Sequence, residues 1–401
     1  MEKKFEVVVM GLGYIGLPTA ALIAGNKIKV KGIDLNEEVV KTINKGKVHI
    51  VEPDLDGLVS KVVSEKLMQA DTKPCEADVF LIAVPTPFKE DHKPDLSYVE
   101  SAVEAVTPYL RKGNLLVIES TSPVGTTGKM ADLVFQERPE LKGDLFIAYC
   151  PERVLPGKIL YELENNDRVI GGLDESSAQK AVNFYSRFVK GNLHKTNART
   201  AEMCKLVENS YRDVNIAFAN ELSMICNEVD IDVDELIMLA GKHPRVNILN
   251  PGCGVGGHCI AIDPWFLVSE FGEKAKIIKA ARDVNNHKAD WVFKNIITTA
   301  EKFEREMKSK PVIATMGLAY KPDIDDLRES PALYIMKRLK KTDYKILAVE
   351  PNIPKYEGKD LVPYIEAEEK ADIIVYLVAH REFKKRKIEN KIVLDYCGVT
   401  K

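Results

Sequence analysis

Short runs that are almost wholly apolar, broken only by Glu6 and Lys31, rather than alternating with polar residues, punctuate the first half of the chain at residues 5–10, 30–33, 79–84, 115–118 and 145–148. Continuous apolar runs of this length, bounded by turn residues, predict strands buried on both faces of a parallel sheet. Helical patterns fill the intervals, so residues 5–190 predict βαβ units and a doubly wound sheet. From about 197 to 300 the period changes to that of long helices, over 201–229 and 275–304, with few strand signals. Strand and helix then alternate again, with apolar runs at 311–316, 345–349, 372–378 and 391–395. The expected fold class is α/β: two Rossmann-like doubly wound domains joined by a central domain of long helices. The expected boundaries are 1–195, 196–305 and 306–401.

Composition narrows the function classes. With 57 Lys+Arg against 60 Asp+Glu, the net charge of −3 argues against a nucleic-acid or membrane-surface role. No apolar run approaches the roughly 18 residues of a membrane span. The start, Met1-Glu-Lys-Lys, has no signal-peptide pattern, and the seven cysteines are odd in number and contain no CxxC pair. These features suggest a cytoplasmic protein without a disulfide framework or a zinc site. The basic stretch at 380–387 reads as a solvated helix face or loop.

The strand at 7–10 runs directly into Gly11-Leu-Gly13-Tyr14-Ile15-Gly16, and a helical pattern follows over 18–24. Glycines in this spacing allow a tight turn, close approach of backbone to a pyrophosphate, and close packing of helix on strand. The helix N-terminus offers N–H groups and a positive dipole end to the phosphates. Asp34 ends the second strand about twenty residues on, where a carboxylate accepts from a ribose 2′-hydroxyl and repels a 2′-phosphate, favouring NAD over NADP. Thr86 and Thr121 follow later strands of the same sheet, at the ends where ligands bind; a loop-capping role is open for each.

A second glycine-dense segment, Gly254-Val-Gly256-Gly257-His258-Cys259, leads to Asp263. Glycines let a bulky substrate approach the thiol, and Asp263 falls four residues after Cys259, on the same face if a helix starts there. A thiolate beside a base is what covalent catalysis needs, although a cysteine in apolar surroundings, taken alone, is more often an inert core residue. The helix predicted over 201–229 carries Lys205, Asn209 and Arg212 at i, i+4 and i+7, hence on one side. Taken alone, such a row is usually just a solvated face.

Taken together, the segments GLGYIG, VPTP, ESTSPVGTT, CPERVLPG, NDRVIGG, HPRVN, GVGGHCIAIDP and GLAYKPDIDDLRES closely resemble the UDP-sugar 6-dehydrogenases, in that family's order and over nearly the whole chain. The resemblance implies oxidation of a C6 alcohol to a carboxylate by two hydride transfers to two NAD molecules. It implies Cys259 as the nucleophile that forms a thiohemiacetal and then a thioester, with Lys205 and Asn209 polarising the oxyanion. Asp263 and Glu152 would manage protons. Tyr14 and Ile15 would join Gly11, Gly13, Gly16, Asp34, Thr86 and Thr121 around NAD, with Arg328 reaching it from the last block. Tyr320, Lys321, Arg212, His243, Gly256 and the Arg153-Val154 pair would contact a UDP-amino sugar. Arg245 matches an arginine that crosses to a partner subunit, which implies a homodimer or larger assembly.

The chain departs from the UDP-glucose branch of that family, which has a phenylalanine-leucine pair after Pro-Glu and a serine before the cysteine. Arg153 is shared by branches acting on 2-acetamido sugars, and the continuation Val154-Leu155-Pro156-Gly157 resembles the N-acetylmannosamine branch. Two other readings share parts of the pattern: a single-hydride dehydrogenase of the 6-phosphogluconate type, and a nucleotide-sugar sensor without turnover. Two, one or no NADH per sugar separates the three.

Overall fold

The computed structural model describes residues 5–89, 93–384 and 388–400, so Lys385, Arg386 and Lys387 of the basic stretch lie outside the described residues. The chain divides into two compact units, residues 1–207 and 208–401.

In the first unit eight strands form one sheet: β1 (Val7–Met10), β2 (Val30–Ile33), β3 (Met68–Asp71), β4 (Val79–Ile82), β5 (Leu115–Ile118), β6 (Phe146–Tyr149), β7 (Arg168–Gly172) and β8 (Leu193–Asn197). Their order is β3-β2-β1-β4-β5-β6-β7-β8. The first six are parallel and in the doubly wound dinucleotide-binding order; β7 runs antiparallel to β6, and β8 parallel to β7. Every residue of β1, β2, β4 and β5 is buried. Successive side chains leave a strand on opposite faces. Val7 and Val9 therefore enter one hydrophobic cluster with Leu17, Ile23 and Val59, and Val8 and Met10 enter another with Val103 and Val134. Two covered faces are why these runs contain no alternation.

The sequence reading missed β3, β7 and β8. β3 alternates buried and exposed positions, and β8 (Leu193-His-Lys-Thr-Asn) is half-solvated throughout. Neither carries a continuous apolar run because each lies at an edge of the sheet.

In the second unit β9 (Val312–Met316), β10 (Lys345–Val349), β13 (Ile373–Tyr376) and β14 (Ile392–Asp395) form a parallel sheet in the order β10-β9-β13-β14. A two-residue-per-strand hairpin, β11 (Lys355–Tyr356) and β12 (Lys359–Asp360), stands apart from it. The long helices predicted over 201–229 and 275–304 are Ala198–Glu228 and Lys276–Met307. Within the second unit they share a buried polar seam. Asn220 Nδ2 donates to Asn285 Oδ1 at 2.8 Å, and Asn285 Nδ2 donates to Asp213 Oδ1 at 2.8 Å. Arg282 pairs with Asp213 at 2.7 Å. Buried polar groups need partners of this kind, and the pairing fixes the register of the two helices. Among the described residues no helix is long and apolar enough to cross a membrane.

Candidate active site

The turn after β1 is built as a nucleotide cradle. Gly11 takes φ +89°, and a Cβ there would lie 2.6 Å from the Ala83 carbonyl oxygen; a Cβ on Gly16 would lie 1.8 Å from the Gly11 oxygen. A Cβ on Gly13, by contrast, would meet nothing within 4 Å, leaving room beside the backbone at the start of helix Gly16–Gly25. Asp34 grips this turn: its carboxylate accepts from Leu12 N–H at 3.0 Å and Asn36 N–H at 2.9 Å. The side chain stays half-exposed, so lone pairs remain for a ribose diol. Tyr14 is exposed and Ile15 half-buried at the mouth of the turn. These residues fit a dinucleotide. Thr86 and Thr121 lie beyond the ends of β4 and β5, both half-buried. The loop-capping hydroxyls here belong to their neighbours: Ser120 donates to Val84 O at 2.7 Å, Ser122 to Ser120 O, and Thr126 to Pro123 O.

Lys205 and Asn209 sit one turn apart on helix Ala198–Glu228, and both are buried. Lys205 Nζ donates to the Glu152 backbone carbonyl at 2.7 Å. The Glu152 carboxylate is itself held in a buried ion pair with Arg168. Arg168 also donates to Leu163 O at 3.0 Å and stacks 5.1 Å from the Tyr185 ring centroid, while Tyr185 Oη donates to Glu119 at 2.5 Å. Burial, reinforced by the Glu152 charge and opposed by Arg168, raises the Glu119 carboxyl to about 7. Sequence reasoning named Glu152 but not Arg168, Tyr185 or Glu119. An arginine opening β7 in the NDRVIGG segment was the available signal. Arg212 belongs to a different environment from Lys205 and Asn209. The buried side of the helix continues through Asp213 and Asn220, and Arg212 lies at its exposed margin.

In the second unit the helix begins at Asp263, not at Cys259. The four-residue relation survives as a hydrogen bond from Asp263 N–H to the Cys259 carbonyl, at 2.8 Å. Asp263, 2% exposed, accepts from Asn209 Nδ2 at 2.5 Å. The Cys259 thiol is half-buried in the turn before this helix. The preceding glycines are sterically required: a Cβ on Gly256 would lie 2.4 Å from Glu329 O and 2.8 Å from Tyr320 Cβ, and one on Gly257 2.8 Å from the Tyr320 ring. Gly257 N–H donates to Arg328 O at 3.0 Å. The structure thus brings Asn209, Asp263, the Cys259 turn and Tyr320 together. Lys321 is half-buried beside Tyr320, and the Arg328 guanidinium is held by Asp326 at 2.6 Å. His243 and Arg245 lie together on an exposed segment, with Arg245 N–H 3.4 Å from His243 Nδ1.

Arg153 and Val154, half-buried, open a loop that is tied down by acids. Glu52 accepts from Gly157 N–H at 2.8 Å and Ile159 N–H at 2.7 Å, and Glu162 from Leu155 N–H at 2.7 Å. Asp323, His380 and Glu382 approach one another closely enough to hold an ion. His380 Nδ1, however, already accepts from Asp323 N–H at 3.0 Å, and Arg381 pairs with Asp323 at 3.1 Å. That geometry is a folded turn, not a metal centre.

Residues 5–189 match the NAD binding domain of the UDP-glucose/GDP-mannose dehydrogenase family, 199–287 its central domain and 314–401 its UDP binding domain. The chain is 53% identical to UDP-N-acetyl-D-mannosamine dehydrogenase of Campylobacter jejuni, over 99% of this chain and 100% of that protein. It is 49% identical to NDP-N-acetyl-D-galactosaminuronic acid dehydrogenase of Ralstonia solanacearum, over 98% and 95%. Among solved structures, UDP-D-ManNAc dehydrogenase from Pyrococcus horikoshii superposes with a TM-score of 0.92 at 39% identity, over 99% of this chain and 96% of that one. The chain belongs to the UDP-glucose/GDP-mannose dehydrogenase family. It is an NAD-dependent enzyme that oxidises a UDP-linked sugar.

Proposed function

We propose that the chain oxidises the C6 alcohol of UDP-N-acetyl-D-mannosamine to the carboxylate, in two oxidations through Cys259. The observation that carries this reading is the cysteine turn itself, with Asp263 buried, hydrogen-bonded to Asn209 and joined by its N–H to the Cys259 carbonyl. NAD, when bound, accepts the electron pair in each oxidation. Cys259 Sγ adds to the C6 aldehyde to give a thiohemiacetal, whose oxidation leaves a thioester. Water then cleaves the carbon–sulfur bond, releasing the carboxylate and returning the thiol.

We assign proton transfer in this sequence to Asp263. Lys205 and Asn209 stabilise the oxyanion, at roughly 2.7–4 kcal/mol per donor in comparable sites. Glu152, paired with Arg168, serves first to hold Lys205 through its backbone carbonyl. We read residues 1–195, 196–305 and 306–401 as the cofactor, helical and nucleotide-sugar parts. Tyr320, Lys321, Arg212, His243 and Gly256 take the sugar nucleotide, and Arg328 takes NAD. Seven free thiols suit a cytoplasmic enzyme.

A homodimer completes the reading. Tyr211, Phe218, Ile225 and Val229 are all more than half exposed on helix Ala198–Glu228, and the first three repeat every seven residues. A seven-residue apolar repeat is the seam of a helix–helix contact. The partner would bring the exposed Arg245 to the sugar.

For the sugar, we assign Arg153 to an acetamide carbonyl, through a charge-assisted hydrogen bond. Losing that partner with UDP-glucose costs roughly 1–3 kcal/mol, about ten- to a hundred-fold in preference. Specificity constants for UDP-N-acetylmannosamine, UDP-N-acetylglucosamine, UDP-N-acetylgalactosamine and UDP-glucose test the assignment. The first is expected to lead. A lead by UDP-glucose overturns the reading of Arg153, and a lead by another 2-acetamido sugar overturns only the epimer.

A further inference from the structure

The two units repeat one device. In the first, Gly11 (φ +89°) follows β1, its N–H donates to Ile33 O at 2.8 Å, and the acid after β2, Asp34, accepts from the next residue, Leu12, at 3.0 Å. In the second, Gly317 (φ +92°) follows β9, its N–H donates to Val349 O at 2.9 Å, and the acid after β10, Glu350, accepts from Leu318 N–H at 2.8 Å and Ala319 N–H at 2.9 Å. Even the residue two beyond each acid matches, Asn36 N–H on Asp34 at 2.9 Å and Asn352 N–H on Glu350 at 3.1 Å.

The acids differ in what surrounds them. Asp34 is half-exposed, whereas the Glu350 side chain is fully buried beneath His380, itself fully buried. His380 Nδ1 accepts from Asp323 N–H at 3.0 Å, so the proton lies on Nε2, which donates to Glu350 Oε2 at 3.1 Å. Asn352 Nδ2 completes the set, 3.2 Å from Glu350 Oε1 and 3.1 Å from His380 Nδ1. Burial alone would push the Glu350 carboxyl up; hydrogen bonds from His380, Leu318 and Asn352 outweigh it and hold the group below its ordinary range. With both oxygens engaged, Glu350 has no capacity left for a ribose diol.

These bonds converge on one segment. Glu350 holds its beginning, at Leu318 and Ala319; His380 holds its end, at Asp323; and the two holders are bonded to each other. Between them lie Tyr320 and Lys321. Tyr320 also packs against Gly256 and Gly257, two to three residues before Cys259. We propose that Glu350 and His380 are positioning residues for the sugar nucleotide, clamping both ends of the 317–323 turn and setting nucleotide affinity without touching the ligand. The clamp converts the acid of a dinucleotide turn into an internal strut.

This proposal rests on the reading that Tyr320 and Lys321 contact the nucleotide. The test uses full-length His380→Ala, His380→Gln and Lys321→Ala, with calorimetric UDP binding and KM values for the sugar nucleotide and for NAD. His380→Ala is expected to weaken UDP and raise the sugar-nucleotide KM by about tenfold, as for loss of a buried hydrogen bond, with the NAD KM changed less than about twofold. His380→Gln, whose amide can both donate to Glu350 and accept from Asp323, recovers part of that loss, and it carries the test alone if the alanine variant does not fold. Both KM values rising together, or unchanged UDP affinity in a folded His380 variant, overturns the clamp. If Lys321→Ala also leaves UDP affinity unchanged, the reading of the turn as the nucleotide contact fails with it. If Lys321→Ala weakens UDP and the His380 variants do not, only the clamp fails.

Discussion

The Asn209 amide donates to the Asp263 carboxylate at 2.5 Å, tying a long helix to the turn that carries Cys259. The bond orients a buried acid at the start of the helix that follows the Cys259 turn. Asp263→Asn keeps the volume and removes the charge. Its kcat is expected to fall by about 10²–10⁴-fold, the usual worth of a general acid–base group. NAD affinity, set by groups other than the Asp263 carboxylate, is expected to remain unchanged. Near-normal kcat in that variant would move proton transfer to another residue.

The seven-residue apolar repeat predicts association through helix Ala198–Glu228. Phe218→Glu combined with Ile225→Glu places two charges in the seam and is expected to convert a dimer into monomers in sedimentation at micromolar concentration. Activity is expected to fall with the dimer, because Arg245 would no longer reach a partner. A wild-type monomer, or a charged variant that still dimerises, contradicts the seam.

Glu119 gives a pH signature of stability. Its carboxyl is raised from 4.5 to about 7, chiefly by burial, so the native state keeps a proton that the unfolded chain has released. Stability therefore falls as pH rises from about 4.5 to about 7, by at most roughly 1.4 kcal/mol per pH unit, and the loss levels off above. Glu119→Gln retains an acceptor for Tyr185 and has no proton to lose. Melting temperatures of variant and wild type are expected to diverge in the variant's favour between pH 5 and pH 8. A constant difference across that range contradicts the assignment.

The parts legible in the sequence are those where one physical cause dominates a local stretch. Two covered faces made β1, β4 and β5 apolar throughout, and β2 apolar but for Lys31, and the long helices ended within three residues of their expected limits at all four ends. Edge strands β3 and β8 were hidden by their solvated side. The pairings that build the site join residues far apart in sequence, such as Asn209 with Asp263 and Glu152 with Arg168. No periodicity encodes them. Glu350 is the exception that could have been found: it follows the second strand of its block just as Asp34 does. His380, thirty residues further on, gave no such sign.

The central claim is a four-electron oxidation through a cysteine-bound intermediate, and the NADH formed per molecule of sugar tests it most directly. With limiting UDP-N-acetylmannosamine, the wild type is expected to form two NADH and one carboxylate per sugar, and Cys259→Ala no carboxylate. One NADH per sugar from the wild type, or near-normal carboxylate formation by Cys259→Ala, would contradict it.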